Sequence, residues 1–595
     1  MKQTNDKLQL LREKMRSDGV QACIIPTTDP HISEYTPEHW KIRSWISGFT
    51  GSAGTLVVTD SEAGLWTDSR YFLQAAAELD GTGVELFKMA LPGTPDIKTW
   101  LAENLPLNSL VAFDGEVFAA SEACALIDFF EQKQIRVRSD FAPFDELWND
   151  RPGIPENPVF LFPERFSGKS VREKIGELRK VLREKESSLT VLAALDIIAW
   201  LFNIRGNDVA YNPVCVSFAV VSEDEAVLFA DPKKWTDETA NYLREEGVTL
   251  ADYAKFYDYL ARIPVGTSVL LTPSKINYKI YTALPSTCLV KKMDIDPVDR
   301  LKAIKNDTEI QGFREAMRKD GVALVKFHIW LEEKLANKDL VTELDVVEKL
   351  NDFRSEQKFY FGESFATISS YGPHGAIVHY SPNAESNATI LPEGILLLDS
   401  GGQYFDGTTD ITRSIACGPV SDEMIKDHTK VLKGHIQLAA ILYPAGTIGM
   451  QLDILSRQFL WKDRTNFLHG TGHGIGHFLN VHEGPQSIRM NYNPVELKPG
   501  MVTSNEPGIY RAGKYGIRVE NLLLTVKAGD SDWGEFYGSE TITLCPIDKK
   551  LIDKSMLTSD EIDWLNTYHQ KVYDELSSFL NEKECKWLKD KCESV

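Results

Sequence analysis

The sequence lacks the features of several common protein classes. It has eight cysteines in 595 residues, and none forms a Cys-x-x-Cys pair, which disfavours structural zinc and a disulfide framework. Its most apolar stretch, residues 189–204, contains Asp196 and is too short to span a bilayer. Acidic residues outnumber basic ones, 86 against 65, so the net charge is −21. This balance offers no basic surface for nucleic acid or anionic lipid.

The N-terminus also lacks the pattern of a secretory signal. Residues 1–8 carry charges and no uninterrupted apolar core, whereas a signal peptide needs one. Together with the scattered cysteines, this predicts a cytoplasmic protein with no membrane partner.

The chain does contain an internal repeat. Residues 57–68 and 220–231 match at a constant offset of 163, with six of 12 positions identical. Each copy predicts a strand, a polar turn and a second strand, and each follows a helical stretch and an apolar strand. The repeat therefore predicts two related α/β domains.

Proline and histidine mark the domain organisation. The Pro-rich stretch 151–158 predicts a linker, and Asp296-Pro297 predicts a second boundary, so the expected domains are 1–152, 153–298 and 299–595. Eight of the 12 histidines lie between His374 and His482. The chemistry is therefore expected in the third domain.

The first chemical motif is an apolar run that ends in an aspartate. Residues 395–414 contain Ile-Leu-Leu-Leu-Asp399, a Gly-Gly pair and a Thr-rich stretch with Asp410. This order predicts a β-hairpin with Asp399 and Asp410 on facing strands, where their side chains can converge.

The second motif is rich in glycine and histidine. His469-Gly-Thr-Gly-His473-Gly-Ile-Gly-His477 has histidines at i, i+4, which would suit a helical metal site, but its alternating glycines disfavour a helix. We therefore predict a loop whose backbone approaches its neighbours closely.

The third motif, residues 504–521, carries Glu506 and Glu520. It predicts two strands joined by a glycine-containing turn, with one glutamate on each strand. The three motifs together supply four carboxylates and one imidazole.

This donor set predicts a dinuclear metal site. Four carboxylates in one pocket repel each other unless cations neutralise them, and two divalent ions bring +4 against −4. Oxygen-rich ligation with one imidazole suits Mn²⁺, Fe²⁺, Co²⁺ or Zn²⁺. Two metals about 3.5–4 Å apart can bridge and acidify one water. The expected nucleophile is a dimetal-bridged hydroxide.

The three motifs resemble those of the dinuclear metallopeptidases with the pita-bread fold. Within that fold, the His469–Gly476 loop, the Asn-Glu-Pro-Gly-Ile-Tyr run and the Gly-Ile-Arg-Val-Glu-Asn strand are similar to the Xaa-Pro aminopeptidase (aminopeptidase P) family. The run Ser47–Thr55 and Trp66–Phe72 resemble its long, three-domain cytosolic branch. The resemblance implies a curved antiparallel sheet in the third domain, preceded by two smaller α/β domains.

The resemblance also implies roles for particular residues. Asp410 and Glu520 would bridge the two metals, Asp399 would complete one metal, and His473 with Glu506 the other. His379, His469 and His482 match histidines that act in catalysis or line the pocket, with His379 and His482 also contacting substrate. Further substrate-binding candidates are Arg70, which the resemblance implies reaches the substrate, and Tyr510 and Arg518.

The expected reaction is hydrolysis of the N-terminal Xaa-Pro bond of peptides. The proline nitrogen must be protonated as its bond breaks, so we expect Glu506 to accept the water proton and His379 to help deliver it. A prolidase restricted to Xaa-Pro dipeptides shares these ligands and stays an alternative. A non-catalytic pita-bread binding protein is a second one, although such proteins lose metal ligands and this chain keeps all five.

Other assignments stay open at this point. The metal is expected to be Mn²⁺, with Co²⁺ or Zn²⁺ as alternatives, because carboxylate sites accept several ions. A homodimer is only what the resemblance suggests. His374 and His477 are expected to be structural. Arg518 lies two residues from Glu520 on one strand face and could support a metal carboxylate or form a surface ion pair. Tyr510 could be a pocket hydroxyl or core.

Overall fold

The computed structural model describes residues 2–595, which form two compact units. The first unit takes the residues up to Glu164 and residues 169–298, and the second takes Arg165–Gly168 and Asp299–Val595. No helix among residues 2–595 combines the length and the apolar composition needed to cross a membrane.

The first half of the first unit is built on a six-stranded sheet. Its strands are β1 (Ala22–Pro26), β2 (Thr55–Thr59), β3 (Ala63–Thr67), β4 (Glu85–Lys88), β5 (Leu110–Phe113) and β6 (Arg136–Arg138). Its helices are α1 (Lys2–Ser17), α2 (Ile42–Ser47), α3 (Phe72–Glu78), α4 (Ile97–Asn104), α5 (Ala120–Gln132) and α6 (Phe144–Leu147). The strand order is β4-β3-β2-β1-β5-β6.

The second half carries another six-stranded sheet and a two-stranded ribbon. The strands are β7 (Phe160–Leu161), β8 (Leu189–Leu192), β9 (Ile204–Arg205), β10 (Phe218–Ser222), β11 (Ala226–Ala230), β12 (Thr249–Asp252), β13 (Ser268–Leu271) and β14 (Leu289–Lys292). Residues 164–303 contain the helices α7 (Glu164–Ser167), α8 (Val171–Glu184), α9 (Leu195–Leu201), α10 (Asp237–Glu245), α11 (Phe256–Leu260), α12 (Tyr278–Ala283) and α13 (Pro297–Ala303). The sheet order is β12-β11-β10-β8-β13-β14.

The two sheets have the same topology. In each, the first strand pairs antiparallel with a hairpin, β2–β3 or β10–β11, and parallel with a strand on its other side. The repeated sequence segments form those two hairpins. The prediction of two related α/β domains is confirmed. The boundary predicted at residues 152–153 lies inside the first unit and stays a prediction.

The second unit packs six further helices with four antiparallel sheets. Its helices are α14 (Asp307–Ala336), α15 (Glu343–Ser355), α16 (Asp422–Ala440), α17 (Gly449–Trp461), α18 (Ser559–Leu576) and α19 (Glu582–Cys592). The longest, α14, begins with a capping box: Asn306 accepts from the Glu309 N–H, and the Glu309 side chain accepts from the Asn306 N–H. These reciprocal bonds satisfy donors that a helix start leaves unpaired.

The strands of the second unit form one large sheet and three small ones. In chain order they are β15 (Tyr360–Glu363), β16 (Ile368–Tyr371), β17 (Ile395–Ser400), β18 (Gly402–Tyr404), β19 (Gly407–Thr408), β20 (Ile411–Ala416), β21 (Tyr443–Pro444), β22 (Gly472–Gly474), β23 (Glu483–Ile488), β24 (Val502–Asn505), β25 (Gly508–Arg511), β26 (Tyr515–Arg518), β27 (Asn521–Ser531) and β28 (Gly534–Thr541). The largest sheet has the order β21-β28-β27-β24-β22-β23; the others are β16-β17-β20, β15-β18-β19 and β25-β26.

Two local predictions differ from the structure. β17 and β20 are antiparallel neighbours, but the Gly-Gly pair is not their turn, because the chain first makes the separate β18–β19 ribbon. Glu506 and Glu520 flank the β25–β26 hairpin and do not lie on its strands. In both places polar residues that the sequence predicted on a strand lie in the connections between strands, where side chains from different strands can meet.

Candidate metal centre

Three side chains from separate segments of the chain converge in the second unit. One ligand atom each of Asp410, His473 and Glu520 lies within 4.8 Å of the other two. Asp410 and Glu520 are almost fully buried, and His473 is partly exposed. This arrangement fits a bound cation that solvent reaches only from the side of His473.

Strand register brings Asp399 to the same place. Asp399 on β17 lies directly opposite Thr412 on β20. Asp410 is two residues before Thr412, so the two share a face of the chain. Asp399 and Asp410 therefore lie diagonally across a strand pair. Burial raises the pKa of Asp410, and the Asp399 carboxylate is close enough to add to the rise.

His473 reaches the carboxylates because glycines let its strand approach closely. A Cβ on Gly472 would lie 1.9 Å from the Ser504 carbonyl oxygen, and one on Gly474 would lie 2.6 Å from that of Glu483. The predicted close approach is therefore present. Within the predicted loop, residues 472–474 form the short strand β22, and residues 469–471 and 475–477 have no strand or helix. His473 Nε2 lies 3.5 Å from Asp410 Oδ2 and 3.4 Å from Glu506 Oε1.

The imidazole of His473 is oriented by its other nitrogen. Nδ1 lies 2.9 Å from the carbonyl oxygen of Gly474, which can only accept, so this nitrogen carries the proton. Nε2 then presents its lone pair towards the carboxylates. A backbone carbonyl that fixes the tautomer of a ligating histidine is a common feature of metal sites.

Arg518 ties the carboxylates to the pocket wall. Its guanidinium donates to Asp399 Oδ2 at 2.5 Å, to Thr412 Oγ1 at 3.0 Å and to the Tyr510 hydroxyl at 2.7 Å. Thr412 in turn donates to Glu520 Oε2 at 2.7 Å. Arg518 is 1% exposed, so the alternative of a surface ion pair is wrong. Its contact is with Asp399, and a supporting role for a metal carboxylate stays a prediction.

The electrostatics of the cluster call for positive charge. Burial, with the neighbouring Asp399 carboxylate, raises the pKa of Asp410 well above its usual range; burial and Asp410 do the same to Glu520. Burial raises the pKa of Glu506 to about 7, and Asp399 adds to the rise. Arg518 supplies one cation against four carboxyl groups, so ionisation of all four requires further positive charge.

The remaining pocket histidines lie beside this cluster. His469 Nε2 is 2.8 Å from the Tyr510 hydroxyl, and its Nδ1 is 2.7 Å from the Gly470 carbonyl oxygen. The ring of His482 stands edge-on to that of His473, with centroids 4.4 Å apart. Tyr510 therefore presents a pocket hydroxyl that joins His469 to Arg518.

His379 follows a 3-10 turn (Gly372–Ala376) that packs on the hairpin of the site. A Cβ on Gly375 would lie 2.7 Å from the Gly516 backbone nitrogen, so the two backbones are in direct contact. Gly516 is two residues before Arg518. The segment of His379 is thus packed against the strand that carries Arg518, and the catalytic role of His379 stays a prediction.

Three other predicted residues lie outside the cluster. His374 contacts Glu343, with its Nδ1 2.9 Å from the carboxylate, and His477 is buried edge-on to Phe313. Arg70, in the first unit, forms a bidentate pair with Asp68. The substrate contact predicted for Arg70 stays a prediction.

Sequence reasoning missed two hydroxyls that support the site. Thr412 links Arg518 to Glu520, and Ser504 Oγ accepts from the His473 N–H at 3.0 Å and lies 3.2 Å from Glu506 Oε1. Both lie two residues from a predicted carboxylate ligand. Strand alternation therefore could have found them, since residues i and i+2 share a face.

The donor set fits two divalent cations. Asp399 Oδ1 is buried, and it has no hydrogen-bond partner among residues 2–595. A buried carboxylate oxygen of this kind costs free energy unless a cation or a donor faces it. Four carboxylates and one imidazole whose Nε2 faces them are the oxygen-rich ligands that first-row divalent metals accept.

An antiparallel fold with this pocket defines a metallopeptidase of the pita-bread class, and family comparisons agree. Residues 7–145 and 150–309 match models of the creatinase/prolidase N-terminal domain. Residues 311–527 match metallopeptidase family M24, and residues 535–595 match the C-terminal region of that peptidase family.

Relatives that match along the whole chain identify the group of metallopeptidases to which this chain is similar. A protein of Coprinopsis cinerea named "Probable Xaa-Pro aminopeptidase P" is 41% identical, covering 98% of this chain and 97% of its own length. One of the same name from Botryotinia fuckeliana is 40% identical, covering 100% and 93%. The crystal structure of an X-prolyl aminopeptidase from Caenorhabditis elegans, described as a cytosolic enzyme with a di-nuclear active site, matches over the whole of both chains with a TM-score of 0.96 and 36% identity. The chain belongs to metallopeptidase family M24, among the Xaa-Pro aminopeptidases P.

Proposed function

We propose that this protein is a metal-dependent aminopeptidase that releases the N-terminal residue from peptides with proline in the second position. The observation that carries the proposal is the convergence of Asp410, His473 and Glu520, with Glu506 within 3.4 Å of His473 Nε2. The full-length relatives, which are named for this activity, support it.

Two divalent ions fit the pocket. Asp410 and Glu520, the two most deeply buried carboxylates that face His473, would bridge the ions. Asp399 would complete one site, and His473 with Glu506 the other. When bound, such ions lower the pKa of a water and polarise the scissile carbonyl.

The side chains around the ions would transfer the protons of the reaction. Glu506, whose Oε1 lies 3.4 Å from His473 Nε2 at the edge of the cluster, would accept the proton of the attacking water. His379 would help deliver a proton to the proline nitrogen, because an anionic amide leaves poorly. His482 would donate a hydrogen bond to the carbonyl oxygen of the scissile bond, where negative charge develops.

Other residues would position the substrate. His469 and Tyr510 form one hydrogen-bonded wall of the pocket, and Arg518 holds that wall and Asp399 together. Arg518 would therefore act through these partners, and Tyr510 would present its hydroxyl to the peptide. The family resemblance supports Arg70 as a further substrate contact.

Three finer properties also belong to this proposal. We propose Mn²⁺ as the native metal, with Co²⁺ or Zn²⁺ as alternatives, because the ligands are mostly carboxylates. The family resemblance supports a homodimer. A cytoplasmic location agrees with the description of the Caenorhabditis elegans enzyme as cytosolic.

Peptide length separates the proposal from a prolidase. Purified protein loaded with Mn²⁺ should release arginine from Arg-Pro-Pro, whereas a prolidase would cleave only Arg-Pro. Arg-Ala-Ala serves as the control for proline specificity. Cleavage of the dipeptide alone would replace the proposal with a prolidase, and cleavage of no peptide at any metal loading would favour a binding protein.

A further inference from the structure

A buried glutamate outside the metal pocket accepts four hydrogen bonds from one loop. Glu343, the first residue of α15, is 0% exposed. Its Oε1 accepts from the Tyr371 N–H at 2.7 Å and from His374 Nδ1 at 2.9 Å. Its Oε2 accepts from the Tyr380 hydroxyl at 2.8 Å and from the Ala388 N–H at 2.9 Å.

These four donors bracket His379. Tyr371 and His374 precede it, and Tyr380 and Ala388 follow it, so Glu343 holds both arms of the loop that carries it. The backbone adds a reciprocal bond, because the Glu343 N–H donates to the Ala388 carbonyl at 3.0 Å. The two ends of the loop are thus hydrogen-bonded to the same carboxylate, that of Glu343.

The other side of the loop rests on the site itself. Gly375 packs backbone to backbone on Gly516 in β26. Ile377 and Tyr510 pack against a small apolar cluster that contains Tyr380. His379 therefore lies between two fixed supports, the Glu343 carboxylate and the hairpin that carries Arg518.

The chemistry of Glu343 is specific to a carboxylate. Each of its oxygens accepts from one backbone N–H, and a backbone N–H cannot be turned into an acceptor. An amide at this position has one oxygen and one NH₂ group. In either orientation Glu343→Gln would place its NH₂ against the backbone N–H of Tyr371 or of Ala388, which removes a hydrogen bond and leaves two donors facing each other.

We propose that Glu343 is the positioning residue for His379. It holds the loop so that the imidazole of His379 meets the leaving nitrogen of the substrate, and it touches neither substrate nor metal. This inference rests on the proposed function, because it assigns Glu343 a role only through His379.

The decisive experiment is a double-mutant cycle. E343Q, H379A and the double variant are loaded with Mn²⁺, and kcat and KM are measured on Arg-Pro-Pro. E343Q should lower kcat about 10–100-fold, since a misplacement of about 1 Å can cost 10²-fold. In the H379A background the same substitution should lower kcat by less than about 3-fold, because residues that act as a unit are not additive.

A matched control separates positioning from folding. Glu561 is another buried glutamate near a helix start in the same unit, and it accepts from the Thr558 N–H and from Lys433. E561Q should lower the melting temperature without changing kcat per metal-loaded chain. E343Q should change kcat while bound metal per chain stays at the wild-type value.

The outcomes distinguish the two proposals. Equal losses from E343Q with and without His379, or a loss that follows bound metal alone, would overturn the role of Glu343. Wild-type protein that fails to cleave Arg-Pro-Pro would overturn the proposed function instead. If E343Q does not fold, Y380F removes a single donor to Glu343, and its cycle with H379A must show the same non-additivity.

Discussion

The guanidinium of Arg518 donates to Asp399 Oδ2 over 2.5 Å in a pocket where both side chains are buried. Arg518 comes from the end of β26 and Asp399 from β17, which are separated by more than a hundred residues in the sequence. The pair leaves Asp399 Oδ1 without a hydrogen-bond partner among the residues described. Arg518 therefore orients the carboxylate so that one oxygen remains for a cation.

Arg518→Lys should weaken the metal site while preserving the charge. A lysine cannot donate at once to Asp399, Thr412 and Tyr510, because it lacks the planar fork of arginine. Loss of such an outer contact typically costs 10–100-fold in metal affinity or activity, and we expect this range. Isothermal titration of chelator-treated protein with Mn²⁺ measures it. Arg314→Lys, in a half-buried pair with Glu540 outside the pocket, is the control and should bind metal normally.

Two glycines of the His469–His477 motif should respond differently to alanine. A Cβ on Gly472 would lie 1.9 Å from the Ser504 carbonyl oxygen, whereas one on Gly470 would have no neighbour closer than 3.6 Å. Gly472→Ala must push β22 away from β24 and carry His473 with it. We expect a loss of about 1–3 kcal/mol in stability and weaker metal binding.

Gly470→Ala should change stability by less than about 0.5 kcal/mol. Melting temperature and bound metal per chain, measured for both variants, test the pair. Equal behaviour of the two variants would show that the close approach of β22 and β24 does not position His473.

His379→Ala should separate chemistry from metal binding. If His379 helps to protonate the leaving nitrogen, its removal lowers kcat about 10²–10⁴-fold and leaves bound metal unchanged. Steady-state kinetics on Arg-Pro-Pro with metal analysis of the same sample gives both values. Loss of metal in this variant would reject the assignment of His379 to proton transfer.

The first unit should contribute to instability in acid. Burial lowers the pKa of His31 from 6.5 to about 3, and its Nδ1 lies 2.9 Å from the Ala193 carbonyl oxygen. The unfolded chain therefore takes up a proton between these pH values that the folded chain does not. The contribution of His31 to the free energy of unfolding is therefore present above pH 6.5 and is lost as the pH drops. The loss from this group alone is about 2 kcal/mol at pH 5.

His31→Gln removes the titrating group and should flatten that part of the pH profile. Melting temperatures of the wild type and the variant between pH 5 and pH 8 measure the difference. The difference in melting temperature between the wild type and the variant should become smaller towards pH 5. A difference in melting temperature that stays constant across this pH range would mean that His31 does not titrate as its burial requires.

Local sequence patterns were sufficient to predict those parts of the fold and of the site that depend on neighbouring residues. The repeat at residues 57–68 and 220–231 predicted the paired hairpins of the two sheets, because alternating strand residues around a polar turn need no distant information. The ligand types and their glycine framing predicted a two-metal pocket for the same reason. Strand-like motifs around Asp399 and Glu520 likewise contained real strands.

The connections and supports could not be predicted in the same way. The β18–β19 ribbon depends on pairing with β15, some forty residues earlier in the chain, and such long-range pairing has no local signature. Glu343 lies in an ordinary capping sequence, and nothing there indicates the loop that it holds. Residues that act through distant partners become visible only once the chain is folded.

Metal removal tests the central claim most directly. The protein is stripped with a chelator, bound ions are counted, and release of arginine from Arg-Pro-Pro is measured as Mn²⁺ is added back. We predict that activity vanishes in the stripped protein and returns as bound metal approaches about two ions per chain. Stripped protein that hydrolyses the peptide as fast as loaded protein would contradict the account.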